Sequence, residues 1–251
     1  LLENEPMSRH TSYGIGGPVS AYITPKDRND LANILKFAYD HSIETHFIGS
    51  GSNLLVADSG IDGIVLTPAK ALTHLEFTGG HVVAESGVML GRLVKECVKR
   101  NLTGVESLIG VPGTLGGALV MNAGAFGGEI SNYLKSVEIM NMSGTVNIFS
   151  PGDIDFSYRF STIKPDEFVL QARFELKEED PEIIQEKRNK ASKGRKTHQP
   201  LRFRSAGSVF KNPEENAAGY LIDQAAFAGT KIVVGERSPH PTLFFVNHGK
   251  A

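Results

Sequence analysis

Two glycine-rich stretches, GSGSNLL at 49–55 and SLIGVPGTLGGALVMNAGAFGGEI at 107–130, have the residue types to hold an anion without side-chain charge. Glycine permits positive φ and leaves no Cβ between backbone and ligand, so such loops can aim a row of N–H groups at a pyrophosphate. The second stretch carries seven glycines and no charged side chain between Glu106 and Glu129, and the first carries no lysine or arginine. An anion here would meet oriented backbone dipoles. The GIGGP turn at 14–18 is a third segment of the same kind, and for any one of the three the plain alternative is a set of tight turns.

Other ways of binding nucleotides can be excluded by inspection. The chain has no GxxxxGK[ST], and GSGSNLL departs from the GxGxxG fingerprint. An uncharged run of about 20 residues has the length of a membrane span, but seven glycines, Pro112, Thr114 and Asn122 interrupt any continuous apolar helix. The net charge of −2 over 251 residues argues against nucleic acid or an anionic membrane as the main partner. Cys97 is the single cysteine, so there is no intramolecular disulfide and no multi-cysteine metal site. Histidines such as His41 and His240 show no metal-ligand spacing, and no metal is expected. LLENEPMSRH lacks the basic and apolar regions of a signal peptide, so the expected location is the cytoplasm.

The elements that would position these loops follow from periodicity. Leu31, Ile34, Leu35 and Ala38 recur at helical spacing after polar capping residues, and short apolar strands at 45–49 and 63–68 complete an early strand, helix, strand unit. HVVAESG predicts a strand and MLGRLVKECVKRN a helix, with Leu90, Leu93, Val94, Cys97 and Val98 on its buried face. SVEIMNMSGTVNIF predicts a hairpin turning at Ser143-Gly144. FVLQARFEL alternates strictly, which puts Phe168, Leu170, Ala172, Phe174 and Leu176 on one face of a strand. A polar, basic segment near 180–195 marks a domain boundary, and beyond it Ala218, Leu221, Ile222 and Ala225 predict a buried helical face closed by Gly229.

GSGSNLLV, IGVPGTLGGALVMNAGAFGGEI, FSYRFS and SAGSVFKNP stand in this order, and together they resemble the bacterial UDP-N-acetylenolpyruvoylglucosamine reductases. The resemblance runs from HTSYGIGGP to FFVNHG. It implies an α+β fold: a two-subdomain FAD-binding domain of the vanillyl-alcohol-oxidase/PCMH type at 1–185 (subdomains about 1–68 and 69–185), then a smaller substrate-binding domain at 186–251 that continues, in the family, past the last residue here. It also implies a peptidoglycan-precursor enzyme in which NADPH reduces FAD and the flavin passes hydride to an enolpyruvyl UDP-sugar. Neither main glycine loop contains the histidine to which related oxidases attach flavin, so the FAD is expected to be noncovalent.

Carried over by motif, the resemblance assigns cofactor binding to Gly49, Ser50, Gly51, Ser52, Asn53 and Leu54, to Gly110, Pro112, Gly113, Thr114, Gly116 and Gly117, and to Asn122, Ala123, Gly124 and Ala125. Arg159 in FSYRFS matches the family's arginine that polarises the substrate carboxylate, a task suited to a permanently charged, two-pronged donor. Ser208 in SAGSVFKNP matches the proton-donating serine, with Ser205 as a local competitor. Tyr158, Arg195, Lys211 and Asn212 are substrate-pocket candidates, with His198 and Gln199 nearby in RKTHQP. The family's third catalytic residue, a glutamate, lies in a segment after the FFVNHG-like strand, and the sequence here ends at Ala251. Two rival readings are a FAD-dependent oxidase of the same superfamily acting on a small alcohol or sugar, and a catalytically silent flavin- or UDP-sugar-binding module. The expected partner is a UDP-sugar, with the chain a monomer or weak homo-oligomer.

Overall fold

The computed structural model describes residues 1–225, 231–232, 235–237 and 244–249. They fall into two compact units. The larger comprises Leu1–Glu5, Val19–Ser50 and Asp62–Ser192, and the smaller Pro6–Pro18, Gly51–Ile61 and Lys193–Ala251. Each is considered by itself.

The larger unit begins with a four-stranded sheet built from β1 (Leu2–Pro6), β2 (Pro18–Ile23), β3 (Thr45–Phe47) and β4 (Ile61–Leu66), in the order β1-β2-β4-β3. Helix α1 (Arg28–Asp40) joins β2 to β3, and the Asp27 carboxylate caps it by accepting the Asn29 and Asp30 amides. Of the four residues that the helical spacing predicts, Leu31, Leu35 and Ala38 are buried and Ile34 is partly so. The expected early unit is present but split: β4 lies between β2 and β3 and runs parallel to β3, so the GSGSNLL loop connects the parallel pair.

A five-stranded antiparallel sheet follows, made of β5 (Leu75–Thr78), β6 (His81–Glu85), β10 (Leu134–Asn141), β11 (Val146–Phe149) and β14 (Glu167–Glu175), in the order β11-β10-β14-β6-β5. Helix α2 (Leu90–Val98) buries Leu90, Leu93, Val94 and Cys97 against it, while Val98, expected on the same face, is only partly buried. The β10–β11 hairpin turns where predicted, with Gly144 at φ +82. The smaller elements of this unit are β7 (Leu102–Thr103) paired with β15 (Lys177–Glu178), α3 (Leu115–Val120), the hairpin of β8 (Gly124–Ala125) and β9 (Gly128–Glu129), and the hairpin of β12 (Phe156–Ser157) and β13 (Phe160–Ser161).

The strict alternation expected of 168–176 fails at one point. Phe168 and Leu170 join the core under α1, whereas Val169, Ala172, Phe174 and Leu176 join the core under α2 and α3. The reason is a β-bulge: the pairing steps from Glu138↔Gln171 to Ile139↔Val169, and one extra residue exchanges the two faces of the strand. The buried Gln171 at that step accepts from Arg28 Nη2 at 2.6 Å and donates to Glu138 Oε1 at 2.6 Å, while Arg28 Nη1 lies 2.9 Å from Glu138 Oε2. This polar bridge ties α1 to the sheet where the strand changes faces.

The 18-residue helix α4 (Pro181–His198) covers the basic segment, and Ser192 is the last residue of the larger unit. In the smaller unit, β16 (Lys231–Ile232), β17 (Gly235–Arg237) and β18 (Phe245–Asn247) form an antiparallel sheet, preceded by α5 (Ala218–Gln224). Asn247 is buried and stitches three segments: its amide donates to Arg204 O at 2.8 Å, its Nδ2 to Tyr13 O at 2.9 Å, and its Oδ1 accepts from Gly249 N at 2.7 Å. The buried face expected for α5 is only begun: Ala218 and Gly219 are buried, but Leu221 and Ala225 are exposed and Ile222 is partly so. A seven-residue helix has room for little more than one such contact. Gly229 and His240 lie outside the described residues. Among the described residues no helix is long and apolar enough to cross a membrane.

Candidate functional site

The larger unit places Gly49, from the first glycine loop, against Thr114, from the second. A Cβ at Gly49 would overlap the Thr114 hydroxyl, so the approach requires glycine. Thr67 Oγ1 donates to Gly49 O at 3.2 Å and holds the loop on this side. Thr114 precedes α3, and Gly113 before it sits at φ +133, a region essentially confined to glycine. Two amides of the α3 first turn are already engaged: Leu115 N donates to Val88 O at 2.8 Å and Gly116 N to Ser86 O at 2.9 Å. Gly116 packs on Ser86, since a Cβ there would stand 3.0 Å from the Ser86 Cβ. The backbone offered to an anion is therefore narrower than the run of glycines implies.

Three buried side-chain oxygens on this scaffold have no hydrogen-bond partner among the described residues: Ser86 Oγ, Thr114 Oγ1 and Asn122 Oδ1. Leaving such an atom unpaired costs about 1–3 kcal/mol, so each is an opening for a ligand's polar atom. Asn122 is wholly buried at φ +40, and its Nδ2 donates to Glu129 Oε2 at 2.8 Å and Ser157 O at 3.1 Å. Ala123 is fixed by two backbone bonds, its amide to Ala118 O and its carbonyl from Ile130 N, and Gly124 and Ala125 form the strand paired with β9. Gly110, Pro112 and Gly117 are exposed. In the first loop, Gly49 and Ser50 belong to the larger unit and Gly51, Ser52, Asn53 and Leu54 to the smaller, where Gly51 O accepts from Ser12 N at 3.0 Å.

Arg159 is half-buried, in the two-residue turn between β12 and β13, and it adopts φ +58. For a non-glycine residue that left-handed conformation costs about 1–2 kcal/mol. Its guanidinium carbon lies 5.1 Å from the centre of the exposed Tyr158 ring, and among the described residues it forms no ion pair. A fixed, unpaired guanidinium resting on an aromatic face is ready for a carboxylate or phosphate.

The remaining candidates belong to the smaller unit. Ser208 is exposed and follows Gly207 at φ +82, and its backbone bridges that of Phe244 antiparallel. Ser205 O accepts from Ser12 Oγ at 2.7 Å, which gives this competitor serine's segment a structural task. Lys211 and Asn212 are exposed, and Asn212 Oδ1 accepts from Ala218 N at 3.1 Å at the start of α5, leaving its amino group to donate. Arg195 Nη1 donates to Gln199 Oε1 at 2.9 Å, while the His198 side chain lies outside the described set. Sequence reading passed over Ser86, Glu129 and Ser161. Ser161 had a visible signal, since it closes the same FSYRFS motif, whereas Ser86 shows its part only through its contact with Gly116 and Glu129 only where the chain folds back onto Asn122.

Burial pushes the Cys97 thiol up to about 12, which removes it as a nucleophile. Among the described residues no group of three or more His, Cys, Asp or Glu is arranged to hold a metal. The residues of the larger unit do fit the FAD implied by the motifs. Gly49 leaves room a Cβ would fill, the Thr114 hydroxyl beside it is buried and unpartnered, and no nearby carboxylate bonds it.

Comparison with known proteins gives two family matches: residues 19–150 match a FAD binding domain, and residues 199–251 match the C-terminal domain of UDP-N-acetylenolpyruvoylglucosamine reductase. A UDP-N-acetylenolpyruvoylglucosamine reductase from Clostridioides difficile (strain 630) is 39% identical over 249 residues, covering 99% of this chain and 82% of that one. The crystal structure of such a reductase from Thermus caldophilus superposes with a TM-score of 0.88 at 32% identity, over 98% of this chain and 88% of the other. A cholesterol oxidase from Brevibacterium sterolicum shares the fold alone, with a TM-score of 0.50 at 16% identity over 66% of this chain and 36% of its own.

Proposed function

The chain belongs to the UDP-N-acetylenolpyruvoylglucosamine reductases, and on that premise we propose how its residues divide the work of converting UDP-N-acetylglucosamine enolpyruvate to UDP-N-acetylmuramate. The reaction is FAD-dependent, uses NADPH and supplies a peptidoglycan precursor. When bound, FAD carries a hydride from NADPH to the enolpyruvyl double bond. The glycine loops at 49–54, 110–117 and 122–125 hold it noncovalently, with Gly49 giving close backbone approach and Thr114 a hydroxyl.

Arg159 binds the substrate carboxylate through two N–H groups and stabilises the charge that develops beside it as hydride arrives. Ser208 donates a proton to the carbon bearing that charge, completing the addition of two hydrogens across the double bond. Tyr158, Arg195, Lys211 and Asn212 position the UDP-sugar, with residues 1–185 as the FAD-binding domain, which also lends Tyr158 and Arg159 to the substrate, and 186–251 as the substrate-binding domain. The protein is read as cytoplasmic and as a monomer or weak homo-oligomer, and its net charge of −2 argues against nucleic acid or an anionic membrane as its main partner.

The observation that carries this reading is the meeting of the two glycine loops at Gly49 and Thr114, beside an unpaired buried hydroxyl. The test is anaerobic. NADPH should bleach the flavin absorbance, and the enolpyruvyl UDP-sugar should restore it. Flavin reduced by a small alcohol and not by NADPH would mark an oxidase, and flavin unresponsive to both would mark a silent binding module.

A further inference from the structure

Arg159 occupies the second position of a two-residue hairpin turn at φ +58, and Tyr158 before it is not at positive φ. Arginine has no preference for that region, and a two-residue turn with only its second residue left-handed fits the twist of its strands poorly. Such a conformation persists only where its surroundings impose it. Two hydrogen bonds from outside the hairpin do so, one on each arm. Ser161 Oγ donates to Val120 O at 2.8 Å, and Asn122 Nδ2 donates to Ser157 O at 3.1 Å. Both reach the same place, because Val120 ends α3 and Asn122 follows two residues later. Ser161 is 6% exposed and Asn122 0%, so water does not compete for either bond. Asn122 is anchored in turn by its second donation, to Glu129 Oε2 at 2.8 Å.

The geometry points to Ser161 and Asn122 as positioning residues for Arg159: they staple the turn to the C-terminal end of α3, the helix whose other end begins at Thr114 beside Gly49. One short helix thereby registers the carboxylate-binding guanidinium against the flavin loops. Removing a staple lets the turn relax toward ordinary backbone angles and moves the guanidinium, while the loops at Gly49 and Thr114 keep their own bonds. The inference rests on the reading of Arg159 as the carboxylate ligand.

The test follows the two half-reactions of FAD-loaded enzyme separately by stopped-flow. Ser161→Ala should leave flavin reduction by NADPH within about twofold of the parent and slow reoxidation by the enolpyruvyl UDP-sugar about tenfold, since a displacement near 1 Å has effects of that order or larger. Ser161→Thr keeps the hydroxyl and should recover most of the loss. In an Arg159→Lys background, Ser161→Ala should add no more than about twofold, because the group it positions is already gone. Parent-like reoxidation in Ser161→Ala, equal slowing of both half-reactions, or full additivity with Arg159→Lys would each overturn the staple. If Ser161→Ala fails to load FAD, Asn122→Gly, which tolerates φ +40, is judged by its ratio of reoxidation to reduction rates, which should fall about tenfold; an unchanged ratio overturns the inference. Arg159→Lys alone separates the two ideas: if it reoxidises at the parent rate, the Arg159 reading fails, whereas if it is slow while Ser161→Ala is not, only the staple falls.

Discussion

Gly49 and Ser208 show how much a single position can be asked to do. A Cβ at Gly49 would overlap the Thr114 hydroxyl across the gap between two loops, so Gly49→Ala must turn that hydroxyl away or displace a loop. The expected outcome is FAD affinity weakened by at least about tenfold, equivalent to about 1.4 kcal/mol, measured by titrating the apoprotein with FAD. Parent-like affinity would show that the two loops do not close on the cofactor here. Ser208→Ala removes the proposed proton donor and should slow reoxidation of reduced flavin by the enolpyruvyl substrate by roughly 10²–10⁴. Reduction by NADPH should stay unchanged, and equal loss in both half-reactions would assign Ser208 a binding role. Both positions stand out as candidates in the sequence because short motifs surround them. The unpaired oxygens of Ser86 and Thr114 were not, since a hydroxyl's partners depend on residues far along the chain.

Elements built on local chemistry came out largely as their sequences predict, apart from the mostly exposed face of α5 and one failure with an identifiable site. Helix α1 starts where Asp27 accepts two first-turn amides, so Asp27→Ala should cost about 1 kcal/mol. In a chain of this size that lowers the melting temperature by roughly 2–4 °C, which differential scanning calorimetry would resolve. An unchanged midpoint would mean that the Lys26 amide bond to Asp30 suffices to start the helix. Strand β14 is the failure. Its residues alternate in polarity as a one-faced strand should, yet the bulge opposite Glu138 and Ile139 turns Ala172 and Phe174 to the other core. A bulge belongs to a pair of strands. The Arg28, Glu138 and Gln171 bridge that sits at this one joins residues more than 100 positions apart at its widest.

At the scale of the molecule, cofactor and core make separate claims on stability. FAD that binds only the folded chain should raise stability by about 2.7 kcal/mol at a hundredfold excess over its dissociation constant, or roughly 5–10 °C in melting temperature; no shift on adding FAD would contradict a folded binding site. Cys97 reports on the core. Its folded value lies near 12 against an ordinary 9.0, so its contribution is full below the ordinary value and is lost as pH rises from there toward 12. A thiol reagent at pH 8 should therefore modify Cys97 only on unfolding, and rapid labelling of the native protein would show the α2 face to be open. The amino-acid sequence alone determined the family, the candidate cofactor loops, most of the helical faces of α1 and α2 and the motifs that contain Arg159 and Ser208, because each is written within a few residues. Tertiary structure decided what holds the Arg159 turn at φ +58, which amides of α3 are already engaged and where β14 changes faces. Those depend on hydrogen bonds between segments well separated in sequence, and such pairings exist only once the chain has folded.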